Sequence, residues 1–202
     1  MSQSGLTVPA SAVRLARTLG IAQPAPLRPS LLNSRVQLTL FVQGTAAAKI
    51  DEARKSLDPV QFSLIAPHVT LCREDEIEDL QSADLRERLS AWKTGPVSLS
   101  FGPPESFSTH GILLPCIRGE EEFLALRSLI LGSTALRRQL PHITLAHPRN
   151  PKSAGNSLAA ASVLQAGITV NLGTVSRIQQ DGGAPWRLVE HFDLPCAEDS
   201  DA

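Results

Sequence analysis

No run of 18 uncharged apolar residues occurs in this 202-residue chain, which excludes a transmembrane helix and a membrane partner. An excess of one charge is also missing: 19 basic and 20 acidic side chains leave a formal charge of −1. Wrapping long nucleic acid needs a broad positive surface, so that class and long duplexes are excluded. A small anion, or one end of a nucleic acid, stays compatible. Cysteine is scarce. Cys72, Cys116 and Cys196 are odd in number, widely spaced and without a C-x-x-C pair, so neither a disulfide framework nor a cysteine-based zinc ribbon is expected. Each reads as a small, half-buried hydrophobe in a reducing compartment. With 42% apolar and 19% charged residues, the composition is that of a soluble globular protein.

Acidic residues are absent from the start of the chain, where the first is Asp51. Residues 1–34 stand apart, with Pro9, Pro24, Pro26 and Pro29 among Arg14, Arg17 and Arg28. No continuous apolar stretch makes a secretory signal there. An acid-free leader containing Arg and Ser matches a mitochondrial transit peptide in composition. The simpler expectation is a non-core extension, with one helix over Ser11–Leu19, on a cytoplasmic monomer. Residues 195–202 read as a short acidic tail.

The middle of the chain repeats itself. Val36–Val42 has strand composition and ends near Gly44; a helical pattern follows with Ile50, Ala53 and Leu57 on one face, then Pro67-His68-Val69-Thr70-Leu71. The order restarts at Ile112–Ile117 and Gly119, with Phe123, Leu126 and Ile130 on a helix face, then Pro141-His142-Ile143-Thr144-Leu145. Polar helices are expected over Asp75–Lys93 and Pro151–Leu164. Each leads to a glycine, Gly95 or Gly167, that opens a strand. A last strand is expected over Pro185–Asp193. Two copies of an α+β lobe explain this order better than a solenoid, which needs more and shorter repeats. The expected fold is a bilobal duplication over residues 35–194, with two antiparallel sheets, helices on the outside and a central cleft.

The two pentapeptides carry the chemistry. In a strand, residues i and i+2 share a face, so His68 projects with Thr70 and His142 with Thr144. Lobes related by a pseudo-twofold can turn both pairs to one cleft. Histidine titrates near neutrality, so one imidazole can take a proton from an attacking oxygen while the other gives one to a leaving oxygen. A threonine hydroxyl beside each can donate to a non-bridging phosphate oxygen as its charge grows. These groups suffice for in-line displacement at a phosphodiester, and neither a metal nor a cofactor is called for. A metal site built from His68, His142 and a third histidine is the weaker reading, because the motifs bring hydroxyls and not carboxylates.

The paired PHVTL and PHITL, 74 residues apart in a duplicated order, resemble the motifs of the two-histidine phosphoesterase superfamily. That group includes RNA 2′,3′-cyclic phosphodiesterases, 2′-5′ RNA ligases and ADP-ribose 1″,2″-cyclic phosphate phosphodiesterases. The resemblance implies two lobes flanking a cleft, with His68, Thr70, His142 and Thr144 as the catalytic quartet. The implied substrate is a small nucleotide or an RNA end carrying a 2′,3′-cyclic phosphate. Ligation in the reverse direction and a non-catalytic nucleotide- or RNA-end-binding module are the alternatives. Many ligase-like members carry an arginine five residues after the second motif histidine. Here that position is His147, with Arg149 two further on, and Arg73 follows His68 by five. These three are the candidate phosphate contacts.

Other residues receive plainer readings. Phe41 and Trp186 lie on expected strands and can stack on a base, although core packing is the simpler role for both. Glu120-Glu121-Glu122 and Asp75-Glu76 suit helix starts. Gly182-Gly183 marks a hairpin turn, His110 a turn at a strand start, and His191 a strand position with no part in chemistry.

Overall fold

The computed structural model describes residues 34–137 and 139–195. The expected N-terminal extension, except Ser34, lies outside them with its helix over Ser11–Leu19, as do Cys196 and the tail beyond Pro195. Among these residues nine strands form two antiparallel sheets. The first sheet holds β1 (Ser34–Phe41), β2 (His68–Cys72), β8 (Thr174–Asp181) and β9 (Arg187–Asp193), in the order β2-β1-β8-β9. The second holds β3 (Val97–Phe101), β4 (Glu105–Phe107), β5 (Gly111–Arg118), β6 (His142–Ala146) and β7 (Ile168–Leu172). There β3 lies between β5 and β7, while β4 and β6 pair with β5.

The duplication survives down to the register. His68 opposes Phe41 and Thr70 opposes Thr39 on the β1–β2 ladder; His142 opposes Pro115 and Thr144 opposes Leu113 on the β5–β6 ladder. Each ladder then slips at the same place, between Leu38 and Thr39 in one and between Ile112 and Leu113 in the other. The bulge lets two successive side chains turn inward, so Leu71 and Cys72 are both buried, as are Leu145 and Ala146. Beyond each histidine the alternation is otherwise regular, with Val69 and Ile143 in the core and the threonines half-buried.

Among the described residues the α-helices are α1 (Gly44–Leu57), α2 (Pro59–Leu64), α3 (Ser82–Ser90) and α4 (Glu120–Leu131). The apolar faces expected for α1 and α4 are the buried ones: Ile50, Ala53 and Leu57 in the first, Phe123, Leu126 and Ile130 in the second. Helix α1 follows a strand of the first sheet yet packs on β6 of the second; α4 follows a strand of the second and reaches β2 of the first. Gly119 opens α4 with φ +92°, and a Cβ there would meet the Ser98 carbonyl oxygen at 2.1 Å, so only glycine fits that turn. The three glutamates after it occupy the first turn as expected, and Glu122 accepts a hydrogen bond from the Ser98 N–H at 3.1 Å.

Several elements differ from expectation. The helix over Asp75–Lys93 is a single 3₁₀ turn at Glu74–Glu76 followed by α3 alone. The Arg177 guanidinium takes the Leu80 carbonyl at 2.6 Å and the Ser82 hydroxyl at 3.1 Å, which breaks the run between them. The helix over Pro151–Leu164 is a 3₁₀ segment at Leu158–Leu164. Its front half is spent docking on the end of α1: Ser153 and Asn156 donate to the Ser56 and Leu57 carbonyls, and a Cβ on Gly155 would come within 2.7 Å of the Ser56 oxygen. Strand β3, which closes the first copy, belongs to the second sheet, and β8 is a central strand absent from the sequence reading. The last strand begins at Arg187, so Trp186 precedes it; Gly182 and Gly183 form the β8–β9 hairpin turn as expected. Among the described residues no helix is long and apolar enough to cross a membrane.

Candidate active site

Strands β2 and β6 are edge positions of the two sheets, and they pack against each other where the lobes meet. Both motif histidines sit at the start of their strands, each behind a proline. Proline lacks an N–H and favours an extended residue before it, which lets the carbonyl two residues back return to the imidazole. Thus His68 Nδ1 lies 2.8 Å from the Ala66 carbonyl oxygen and His142 Nδ1 lies 3.0 Å from that of Leu140. A carbonyl oxygen only accepts, so Nδ1 carries the proton on both rings. Nε2 is left for chemistry, as a base when the ring is neutral and as a proton donor when it is charged.

One cavity of about 520 Å³ is lined by His68, Thr70, His142 and Thr144 together. The volume is that of a small-ligand site. Arg73, His147 and Arg149 line it as well. Phe41 does not; its ring meets His68 edge-on, with centroids 6.2 Å apart and planes at 66°. Several further lining residues carry no local signal in the sequence. Arg35 and Arg137 raise the number of arginines in the wall to four, against Glu74 as its one carboxylate, so a chain of net charge −1 presents a locally positive cavity. Arg35 pairs with Glu74 at 3.1 Å, and Arg137 with Asp75 at 3.2 Å. A contiguous basic segment would have shown in the sequence; these residues converge only through folding.

Burial pushes the His68 pKa down to about 4, against the Ala66 carbonyl that favours the protonated ring; the charges of Arg54 and His142 push the same way as burial. His147 is also shifted down, by burial and then by Arg149, with Asp58 opposing. His68 is therefore neutral at pH 7.

Two buried arginines brace the motif strands from behind. Arg54 on α1, 1% exposed, pairs with Asp51 at 2.7 Å and donates to the Gln61 and Ile65 carbonyls at 3.0 and 2.6 Å, just ahead of His68. Burial lowers its pKa, and Asp51 and Asp58 oppose that shift. Arg127 on α4 is fully buried, pairs with Glu76 at 2.7 Å, and donates to the Leu71 carbonyl and to Gln139 Oε1. Burial would raise the Glu76 pKa, but the Arg127 hydrogen bond and charge hold it below its ordinary value. Asp75-Glu76 thus serves an ion-pair network, where the sequence reading placed a helix start. Gln139 in turn donates to the Thr70 carbonyl at 2.7 Å, joining the segment that leads to His142 with the strand that carries His68. On the other flank Asp58, 2% exposed, accepts from the backbone N–H of Gln61 and of His147, both at 2.8 Å, and from Asn150 Nδ2 at 2.9 Å. His110 sits in its turn with Nε2 2.8 Å from the Asn150 carbonyl, and exposed His191 stands on β9. Among the described residues, no three His, Cys, Asp or Glu side chains gather as metal ligands.

No curated protein matches the chain in sequence. In structure it is similar to E. coli LigT complexed with ATP, with a TM-score of 0.51 at 12% identity, covering 80% of this chain and 98% of that one. E. coli LigT complexed with NADP+ gives a TM-score of 0.49 at 11% identity, over 80% of this chain and 97% of that one. At such identities the likeness is one of fold. The model of the 2′-5′ RNA ligase superfamily matches residues 42–184, a span that takes in both motifs. That is well over half the sequence, and the chain belongs to the 2′-5′ RNA ligase superfamily, whose chemistry is of the phosphoesterase or ligase type.

Proposed function

We propose that this chain is a metal-independent phosphodiesterase that opens a ribose 2′,3′-cyclic phosphate on a small nucleotide or an RNA end. The observation that carries the reading is the matched pair of Nδ1-to-carbonyl bonds, which leaves two Nε2 atoms and two threonine hydroxyls on one positively lined cavity. His68, neutral at pH 7, acts as the base: Nε2 takes a proton from water as the water oxygen attacks phosphorus. His142 acts as the acid, giving its Nε2 proton to the ribose oxygen as the bond from phosphorus to that oxygen breaks. Thr70 and Thr144 donate to the non-bridging oxygens, whose charge grows in the transition state. The product is a ribose monophosphate, and proton exchange with solvent resets the two rings.

Membership in a phosphoesterase and ligase superfamily supports the reaction class, and the LigT structure with ATP, which shares the fold, supports a nucleotide-sized ligand. A product-resolved assay on 2′,3′-cyclic nucleotides, cyclic-phosphate RNA ends and ADP-ribose 1″,2″-cyclic phosphate, run in chelator, tests the reading. Ring opening of the nucleotide or RNA end with full activity in chelator is the expected result. Binding without turnover between pH 5 and 9 would leave a binding module in its place.

A further inference from the structure

The cavity has two unlike walls. Its basic residues Arg35, Arg73, Arg137 and Arg149 suit a phosphate, whereas its apolar lining is confined to Leu64, Ile65 and Trp186. These three lie together: Leu64 and Ile65 are neighbours in sequence, and the backbone N–H of Trp186 donates to the Leu64 carbonyl at 2.8 Å. The indole is half-buried, with the Arg35 guanidinium 5.4 Å from its ring centroid, close enough for a cation–π contact that holds the ring in place. Arg35 is itself held by Glu74. The hairpin that delivers Trp186 is shaped by Gln180, which is buried, lines the cavity and donates to the Ala184 carbonyl at 2.9 Å. Gln37, also buried, and Gln61 add amides to the same cavity. A flat apolar surface edged by amides, in a cavity otherwise built for an anion, matches a ligand with an aromatic ring at one end and a phosphate at the other.

We propose that Trp186, set by Arg35 and flanked by Gln37, Gln61 and Gln180, forms a nucleobase subsite, so that the substrate is a nucleotide recognised through its base as well as its phosphate. This rests on the phosphodiesterase reading for the phosphate half of the site. The indole supplies stacking, which accepts any base, and the amides offer donors and acceptors to the base edge.

The test uses the intrinsic fluorescence of the full chain. It has two tryptophans, and Trp92 is buried with its indole N–H on the Gly95 carbonyl, so a ligand-dependent change reports Trp186. Adenosine 2′-monophosphate should quench the emission, while inorganic phosphate should compete for the site without quenching. Trp186→Ala should abolish the quench and shrink the preference for the nucleotide over phosphate by about 5- to 150-fold, the worth of one base–aromatic stack. Trp186→Phe should keep most of that preference, which guards against loss of fold in the alanine variant. A nucleotide that binds no tighter than phosphate to the unmutated chain, or a preference unchanged in Trp186→Ala, overturns the subsite. Turnover of cyclic phosphates with no advantage for a base would overturn the subsite and leave the reaction standing. Base-dependent binding with no turnover would do the reverse.

Discussion

The assignment of His68 as base makes a quantitative claim about pH. A histidine held at about 4, against an ordinary value near 6.5, has its protonated form disfavoured by about 3 kcal/mol in the empty cavity. Activity that needs neutral His68 is retained as pH falls through 6.5 and is lost only near 4. The acid limb of kcat/KM, which reports the free enzyme, is therefore expected near pH 4. A bound phosphate anion favours the imidazolium, so the acid limb of kcat should lie higher than that of kcat/KM. His68→Ala should lower kcat/KM by about 10²–10⁴-fold and remove the acid limb. His142→Ala should cost a similar factor, remove the alkaline limb and leave the acid limb near 4. The two limbs belong to the coupled pair until the single variants separate them.

The assay is initial-rate opening of a 2′,3′-cyclic nucleotide from pH 3.5 to 9, with circular dichroism at each pH to follow folding. That control matters because the same shift acts on stability. With its native pKa depressed, His68 binds fewer protons in the folded chain than in the unfolded one between pH 6.5 and 4. Stability from this group is complete above 6.5 and declines as pH falls through that window. An acid limb of kcat/KM near 6.5 in a folded enzyme, or one that survives in His68→Ala, would refute the assignment.

Thr70→Val and Thr144→Val should each lower kcat by about 10²-fold with the fold intact, since each removes one donor to the developing charge; a change confined to KM would remove the threonines from the transition state. Arg127→Met should destabilise the chain by about 3–5 kcal/mol in urea unfolding, because it leaves Glu76 partly buried without its partner. Pairing it with Glu76→Gln should recover much of the loss, and failure to do so would shift the cost to the Leu71 and Gln139 contacts. The Glu76 carboxylate contributes stability above its unfolded pKa and loses it as pH falls through its lower folded value, so the gap between wild type and Glu76→Gln should close in acid. Raising salt should increase KM for a small cyclic phosphate, because the four arginines of the cavity act partly through a field that ions screen.

What the sequence displayed best was the pair of motif strands. A strand places i and i+2 on one face by geometry alone, so His68-x-Thr70 and His142-x-Thr144 could be oriented without knowledge of their neighbours. The glycine-ended strands and the buried faces of α1 and α4 were legible for the same local reason. Where the reading failed, a distant side chain had decided the matter. Arg177 stops the helix expected after Asp75 by taking the Leu80 carbonyl, and the Ser153–Asn156 segment gives up helix to bond carbonyls of α1. Strand β8 alternates burial along part of its length, but polar Ser176 and Gln180 share its inward positions with Ile178, so the alternation of apolar and polar residues that marks a strand is missing. The exchange of β3 between sheets, and the convergence of Arg35, Arg137 and Trp186 on the cavity, are properties of the assembled fold; no local pattern encodes them.

The duplication supplies two similar imidazoles, yet acid–base catalysis needs two dissimilar ones. The difference is written in the residues that lead into each motif. Before His68 come Leu64 and Ile65, the latter buried, against which Trp186 is pinned. Before His142 come Gln139, whose amide is committed to Thr70 and Arg127, and Leu140, which is exposed. One histidine therefore enters its strand beside a buried isoleucine, and the other beside an exposed leucine and a hydrogen-bonded glutamine. Desolvation acts on the first and keeps it neutral. In the proposed mechanism the apolar wall beside His68 has a double consequence: it favours the neutral ring that the base requires, and it offers the only flat apolar surface for a nucleobase among the residues described around the cavity. A substrate seated by its base on that wall, with its phosphate among the arginines, lies between a ring that can accept a proton and one that can donate it. In that mechanism the asymmetry that would set the direction of proton flow is the same one that would orient the ligand.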